Sequence, residues 1–281
     1  MVNLPSLSSF IYNFSSKLKD ALRVKGMRYK ILFVFYSFLS SFPRTIRRRY
    51  KYYDEIIGKL INRPFRNRIV DFYGIKYCLV DINSFFIVSP RHEYWIWEYF
   101  KPKKGDVVID VGAHIGKYTF LSSKKVGEEG FVIALEPHPY NYGALIRGIK
   151  INRLKNVKAL NLAAWNKEEE LRLYLSLKAD EHSLKLKKSP TYIKVQAYPL
   201  DKILKSLSLR RVDWIKIYAE GSEVEALEGL KETLIKYKPK VIVEVIKDNR
   251  ERVEEIMRKQ GYDGETIISS KSLSYLLYRA T

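Results

Sequence analysis

A single cysteine, Cys78, is all the thiol chemistry available to this 281-residue chain. No intrachain disulfide is possible, which suits a reducing compartment, and a cytoplasmic location is expected. Four histidines and one cysteine are too few for a structural zinc site, so no metal is expected. Carboxylates are scarce too: 31 Asp and Glu face 51 Lys and Arg, a net charge of +20. Long apolar runs are missing. The most apolar stretch, Ile31–Phe42 (ILFVFYSFLSSF), is about a dozen residues, where a membrane span needs roughly 20. It begins too deep in the chain for a typical signal peptide. It reads either as a helix buried on the main domain or as an interfacial helix, which would add peripheral membrane attachment. There is no low-complexity tract and no internal repeat.

What is present is a globular composition with an uneven charge. Residues 1–104 carry 20 Lys and Arg against 7 Asp and Glu, while residues 105–281 carry 31 against 24. A basic front third thus precedes a nearly ordinary domain. Such a field attracts nucleic acid, anionic headgroups or an acidic glycan, and does not by itself choose among them. Three parts are expected: a basic, mainly helical extension over residues 1–66, short strands and an aromatic helix over 67–104, and a main domain over 105–281. Within the extension, Pro43 ends the apolar run, Arg44–Arg49 is a basic cluster, and Tyr53–Leu60 reads as a helix closed by Asn62-Arg63-Pro64. Strands are expected at Ile69–Tyr73, Tyr77–Ile82 and Phe85–Val88, then a helix at Glu93–Phe100.

From Val107 the pattern alternates strand and helix, which argues for an α/β fold with a parallel sheet. Strands are expected at Val107–Val111, Phe131–Leu135, Val157–Leu160, Trp214–Ile217 and Val241–Val245. Helices are expected at Ile115–Val126, Tyr140–Asn152, Ser222 to Lys236 and Asn249–Gln260. Glu170–Leu175 and Ile193–Ala197 read as an added hairpin, and Thr266–Ile268 with Tyr275–Tyr278 as a closing antiparallel pair.

Two strand ends carry chemistry. Val107–Gly116 reads VVIDVGAHIG: an apolar strand ends in Asp110, then Gly112, and Gly116 opens a helix. Glycine lets the backbone turn sharply and approach a ligand, and a helix N-terminus presents unpaired N–H groups. The G-x-x-x-G spacing differs from the dinucleotide fingerprint. A tight turn without a ligand remains the alternative. The second strand ends in Glu136, 24 residues after Gly112, where a carboxylate can accept from both hydroxyls of a ribose. His138 follows at a helix start and reads as a cap or a surface residue more readily than as a catalyst.

Together these segments resemble the FkbM family of S-adenosylmethionine-dependent methyltransferases. VVIDVGAHIGKYTF is similar to that family's first motif, and VIALEPHPYNYGAL to its second. NVKALNLAAWNKEEELRLYL, VQAYPLDKIL, VDWIKIYAEGSEVEALEG and KPKVIVEVI follow in the family's order, over about 155 residues. The resemblance implies a Rossmann-like, seven-stranded methyltransferase sheet with helices on both faces, and S-adenosyl-L-methionine as cofactor. It places Asp110, Gly112, Ala113, His114 and Gly116 at the amino-acid end of the cofactor and Glu136 on the ribose. Pro137 and His138 fall near the adenine edge, and Asn161 and Ala163 flank the adenine. Tyr118 and Thr119 either face the methionine or simply pack.

One position departs. The family commonly has I-K-I-D-V-E-G after its fourth core strand, and this chain has Ile215-Lys216-Ile217-Tyr218-Ala219-Glu220-Gly221. A phenol, with a pKa of about 10, is a poor base. The catalytic candidates are therefore Glu220 first, Glu244 second, and Tyr218 as an acceptor-side residue. The expected reaction is O-methylation of a sugar hydroxyl in a glycan or glycolipid. Two other readings stay open: an RNA methyltransferase gripping RNA through its basic front third, and a degenerate member acting as a membrane-associated scaffold.

Overall fold

A computed structural model describes residues 62–176, 181–186, 190–270 and 272–281, with Val34 alone before them. Expectations for Ile31–Phe42, Arg44–Arg49 and Tyr53–Leu60 therefore lie outside the described residues. A seven-stranded mixed sheet organises the rest. In chain order its strands are β3 (Val107–Val111), β4 (Phe131–Leu135), β5 (Val157–Leu160), β9 (Trp214–Tyr218), β10 (Lys240–Ile246), β11 (Tyr262–Ser269) and β12 (Leu273–Ala280). Across the sheet they run β11-β12-β10-β9-β3-β4-β5. The five from β10 to β5 are parallel, and β12 and β11 close the edge antiparallel. The strand order reverses between β3 and β9, the crevice where open α/β sheets bind ligands.

Central strands are buried on both faces, so their sequences are continuous apolar runs. Ile109, Ile215, Ile217, Val241 and Val243 face one core. That core is covered by α4 (Leu200–Ser206), α5 (Glu223–Glu228), α6 (Lys231–Tyr237) and α7 (Arg250–Lys259). Val108, Val132, Trp214, Ile242 and Leu277 face the other core, with Ile96, Phe100, Tyr118 and Val126 over them. Ile96 comes from a 3-10 turn, Tyr94–Glu98, Phe100 follows just after it, and Tyr118 and Val126 come from α2 (Lys117–Val126). Trp97 lies against Tyr118 and Phe100 against Trp214, with ring centroids 5.3 and 5.2 Å apart. The aromatic segment is thus a cover for the sheet, wound more tightly than the α-helix its pattern suggests. A hairpin of β1 (Ile69–Phe72) and β2 (Ile75–Cys78), with α1 (Ile82–Val88), packs beyond α2 and α3 (Pro139–Ile151). There Phe120 is fully buried and stacks on Tyr77. Burying a side chain of that size stabilises the fold by about 1.5–3 kcal/mol.

Three expectations are corrected. Phe85–Val88 is helical because Asp81 and Ser84 form a reciprocal cap: the Asp81 carboxylate accepts from the Ser84 N–H at 2.7 Å, and the Ser84 hydroxyl accepts from the Asp81 N–H. Residues 62–65 are helical where Asn62-Arg63-Pro64 suggests an end, and Phe65 is buried there. The helix expected from Ser222 to Lys236 breaks into α5 and α6 around Gly229. The Trp165 carbonyl approaches Gly229 so closely that a Cβ would lie 2.0 Å from its oxygen. Trp165 ends β6 (Ala163–Trp165), which joins β7 (Glu169–Tyr174) and β8 (Tyr192–Pro199) in a small sheet that contains the expected hairpin.

Candidate active site

A cleft opens at the carboxyl ends of β3, β4 and β9. Val111, Gly112 and His114 form one wall, and Leu135, Glu136 and Pro137 the next. Leu162, Ala163, Ala164, Leu173, His182 and Leu184 make an apolar side, and Tyr218, Ala219, Glu220 and Ser222 close the last.

The turn after β3 is built by close approach. Gly112 has φ +72°, and the N–H groups of Gly112 and Ala113 both donate to the Leu135 carbonyl, at 3.0 and 2.9 Å. Gly116, at φ +100°, serves packing: a Cβ there would meet the Phe120 ring at 2.4 Å. Between them His114 is held at φ 51°. Its ring nitrogens are buried and have no hydrogen-bond partner among the described residues. Burial pushes its pKa down to about 4, so the imidazole is neutral at physiological pH.

Glu136 ties the two strand ends together. Its Oε2 accepts from the His114 N–H at 2.8 Å and its Oε1 from the His138 N–H at 3.0 Å. Burial raises its pKa to about 7, against the pull of those hydrogen bonds. Oε1 also accepts from Asn141 Nδ2 at 3.4 Å, so Oε2 is the oxygen that keeps a further lone pair for a ligand hydroxyl. Asn161 braces the same turn, its Nδ2 donating to the Glu136 and Pro137 carbonyls at 2.8 and 2.9 Å. His138 caps α3 and stacks on His182, centroids 4.4 Å apart.

Behind the first wall lies a buried ion pair. Lys216 Nζ is 3.0 Å from Asp110 Oδ1 and donates to the carbonyls of Val111 and Gly112 at 3.2 and 3.0 Å. Thr119 donates to Asp110 Oδ2 at 2.6 Å. The ammonium also sits 4.1 Å from the Tyr218 ring centroid.

Along the sheet edge, register sets Tyr218, Glu244 and Tyr275 side by side on β9, β10 and β12. Tyr275 Oη is 2.8 Å from Glu244 Oε1 and 2.9 Å from Glu93 Oε1. Tyr118 donates to Glu93 Oε2 at 2.6 Å. Burial, then Glu220 and Glu93, raise the Glu244 pKa to about 8. Burial and the surrounding phenols and carboxylates hold the Tyr218 phenol well above its usual range. The Tyr218 hydroxyl is buried without a well-formed hydrogen bond among the described residues.

Of the residues singled out in the sequence, Gly112, His114, Glu136, Pro137, Ala163, Tyr218 and Glu220 meet at the cleft. Asp110, Ala113 and Gly116 lie behind its wall, His138 and Asn161 brace its rim, and Glu244 adjoins Tyr218 from the next strand. Tyr118 and Thr119 pack, each through a hydrogen bond to a carboxylate. Sequence reasoning missed Asn141, whose spacing from the cap at His138 was the available signal, and His182, which had none. It also missed Glu93 and Tyr275. Among the described residues no acidic, His and Cys cluster could hold a metal, and no helix is long and apolar enough to cross a membrane.

The family model of the methyltransferase FkbM domain matches residues 110–263, more than half of the chain. The chain belongs to the FkbM methyltransferase family. Methyltransferase sdnD of Sordaria araneosa is 25% identical over 190 residues, covering 56% of this chain and 73% of that protein. Among solved structures, the FkbM methyltransferase of Methylobacillus flagellatus aligns over 96% of this chain and 60% of its own, with 14% identity and a TM-score of 0.46. A SAM-dependent methyltransferase of Aquifex aeolicus aligns over 67% and 89%, with 17% identity and a TM-score of 0.41.

The FkbM domain makes this chain a methyltransferase, and its cleft suits S-adenosylmethionine as cofactor. Glu136 would hold a ribose hydroxyl through its open Oε2 lone pair, the Leu162-to-Leu184 side would face a purine, and the buried His114 ring nitrogens, without a partner among the described residues, would take a polar group. When bound, the cofactor supplies an electrophilic methyl group on a sulfonium.

Proposed function

We propose that this enzyme methylates a hydroxyl oxygen of a glycan or glycolipid, with Glu220 receiving the hydroxyl proton. The observation that carries this reading is the backbone of Glu220. It lines the cleft at φ 47°, a left-handed conformation costing a non-glycine residue of order 1 kcal/mol. Three elements hold it there: the Ser183 hydroxyl donates to its carbonyl at 2.5 Å, the Gly221 N–H donates to Glu223 Oε1 at 2.7 Å, and Asn249 donates to the Gly221 carbonyl at 2.9 Å. Strain maintained this firmly beside a cleft supports a functional carboxylate. A hydroxyl loses its proton as it is methylated, and a positioned carboxylate contributes about 10²–10⁴-fold to such a step. Tyr218 remains a neutral phenol and shapes the acceptor side. The glycan or glycolipid class follows the family resemblance, and the basic front third suits an acidic acceptor or an anionic membrane surface.

The test is conversion of S-adenosylmethionine to S-adenosylhomocysteine with panels of glycans, glycolipids and RNA. Turnover on a hydroxyl-bearing glycan or lipid supports the reading, and turnover on RNA alone replaces it. Glu220→Gln should lower kcat about 100-fold while leaving cofactor affinity within about threefold. Unchanged kcat assigns the base elsewhere.

A further inference from the structure

Tyr275 carries one phenolic proton yet lies within hydrogen-bonding distance of two carboxyl groups, Glu93 Oε1 at 2.9 Å and Glu244 Oε1 at 2.8 Å. A phenol donates once. With both carboxyls ionised, one of these contacts would press lone pair against lone pair. Two good hydrogen bonds around one phenol need a second proton, and a carboxyl must carry it.

The surroundings choose which one. Glu93 is ringed by donors and cations: the Tyr118 hydroxyl at 2.6 Å, His92 Nδ1 at 3.5 Å and Lys117 Nζ at 3.7 Å. Burial alone would push its carboxyl up, but His92, Lys117 and Tyr118 more than reverse this and hold it well below the usual range. Glu244 forms no ion pair among the described residues. Its neighbours are Tyr218 on β9, Tyr275 on β12, Glu93 from the cover segment and Glu220 from the turn after β9; Lys216, also on β9, is committed to Asp110.

We propose that Glu244 is a neutral carboxylic acid in the resting enzyme, donating to Tyr275, which in turn donates to an ionised Glu93. The chain runs in one direction and positions rather than catalyses. A proton parked on Glu244 removes a negative charge that acts on Glu220, the proposed base. Only this last consequence rests on the proposed role of Glu220. Glu93 and Tyr275 both lie outside residues 110–263, so segments flanking the family domain set the protonation of a strand inside it.

The test is carbon-13 NMR of the full chain with labelled glutamate carboxyls, titrated with pH. Glu244→Gln assigns the signal, and Glu136→Gln and Glu223→Gln identify the other carboxyls raised by burial. The Glu244 signal should titrate near 8. Glu93→Gln removes a neighbouring negative charge and should lower that midpoint by about one pH unit or more. Tyr275→Phe keeps the ring and gives an independent sign: losing an acceptor of the Glu244 proton lowers the midpoint, whereas losing a donor to a Glu244 carboxylate would raise it. A Glu244 midpoint in the ordinary carboxylate range, no response to Glu93→Gln, or a rise with Tyr275→Phe overturns the proposal. No acceptor is present in these titrations, so a wrong acceptor assignment cannot imitate any of these results.

Discussion

The carbonyl oxygen of Tyr218 fills the space that a side chain at residue 112 would need: a Cβ on Gly112 would stand 1.9 Å from it. The contact joins the ends of β3 and β9, the two strands between which the sheet order reverses. It explains why residue 112 must be glycine on two grounds, its φ of +72° and the missing room. Gly112→Ala should therefore part the two strand ends. We expect a loss of about 1–3 kcal/mol in stability from strain, and cofactor affinity at least tenfold weaker. Denaturant unfolding and calorimetry measure both, and affinity unchanged in a folded variant would refute the placement.

Cofactor binding should depend on pH through Glu136. Its pKa is raised to about 7 by burial, and its ionised form accepts from a ribose hydroxyl more strongly than the protonated acid does. Binding is then coupled to proton release. Affinity should fall as pH drops below about 7, level off above it, and lose this dependence in Glu136→Gln. A flat profile in the unmutated enzyme would show that Glu136 does not accept from the ligand.

Both strand ends were legible in the sequence because a buried parallel strand writes itself as an apolar run, and the residue where the run stops faces the crevice. Asp110 and Glu136 were found in that way. The pattern could not say that Asp110 turns inward to Lys216, since that partner lies 106 positions away on another strand. Glu93 and Tyr275 were invisible for the same reason: neither sits in a motif, and only the folding of an N-terminal cover and a C-terminal strand onto one sheet edge brings them together. Phe85–Val88 misled because a four-residue apolar, strand-favouring run is a weaker signal than a reciprocal cap at Asp81.

Tyr218→Phe should be neutral or stabilising by up to about 1 kcal/mol, because the hydroxyl it removes is buried and poorly paired. The ring, which meets Lys216 and packs edge-on against Tyr118 and Tyr275, is retained. A loss above about 1 kcal/mol in denaturant unfolding would mean that the hydroxyl holds a partner.

Stability should carry the signature of Glu244. Its pKa is raised from 4.5 to about 8 on folding, so between those values the native state holds a proton that the unfolded chain has released. Its contribution is full below about 4.5 and is lost as pH rises through 8, with a slope approaching about 1.4 kcal/mol per pH unit between them. Glu244→Gln cannot ionise and should flatten that part of the profile. Unfolding free energies at a series of pH values decide it, and identical slopes in both proteins would contradict the assignment.

The most direct test of the whole account is a calorimetric titration of the full chain and of Glu136→Ala with S-adenosylmethionine. We predict one site per chain in the unmutated protein. Removing Glu136, the proposed acceptor of the ribose hydroxyls, should weaken binding by about 1.5–3 kcal/mol, roughly 10- to 150-fold. Absence of binding by the unmutated chain, or equal binding by Glu136→Ala, would contradict it.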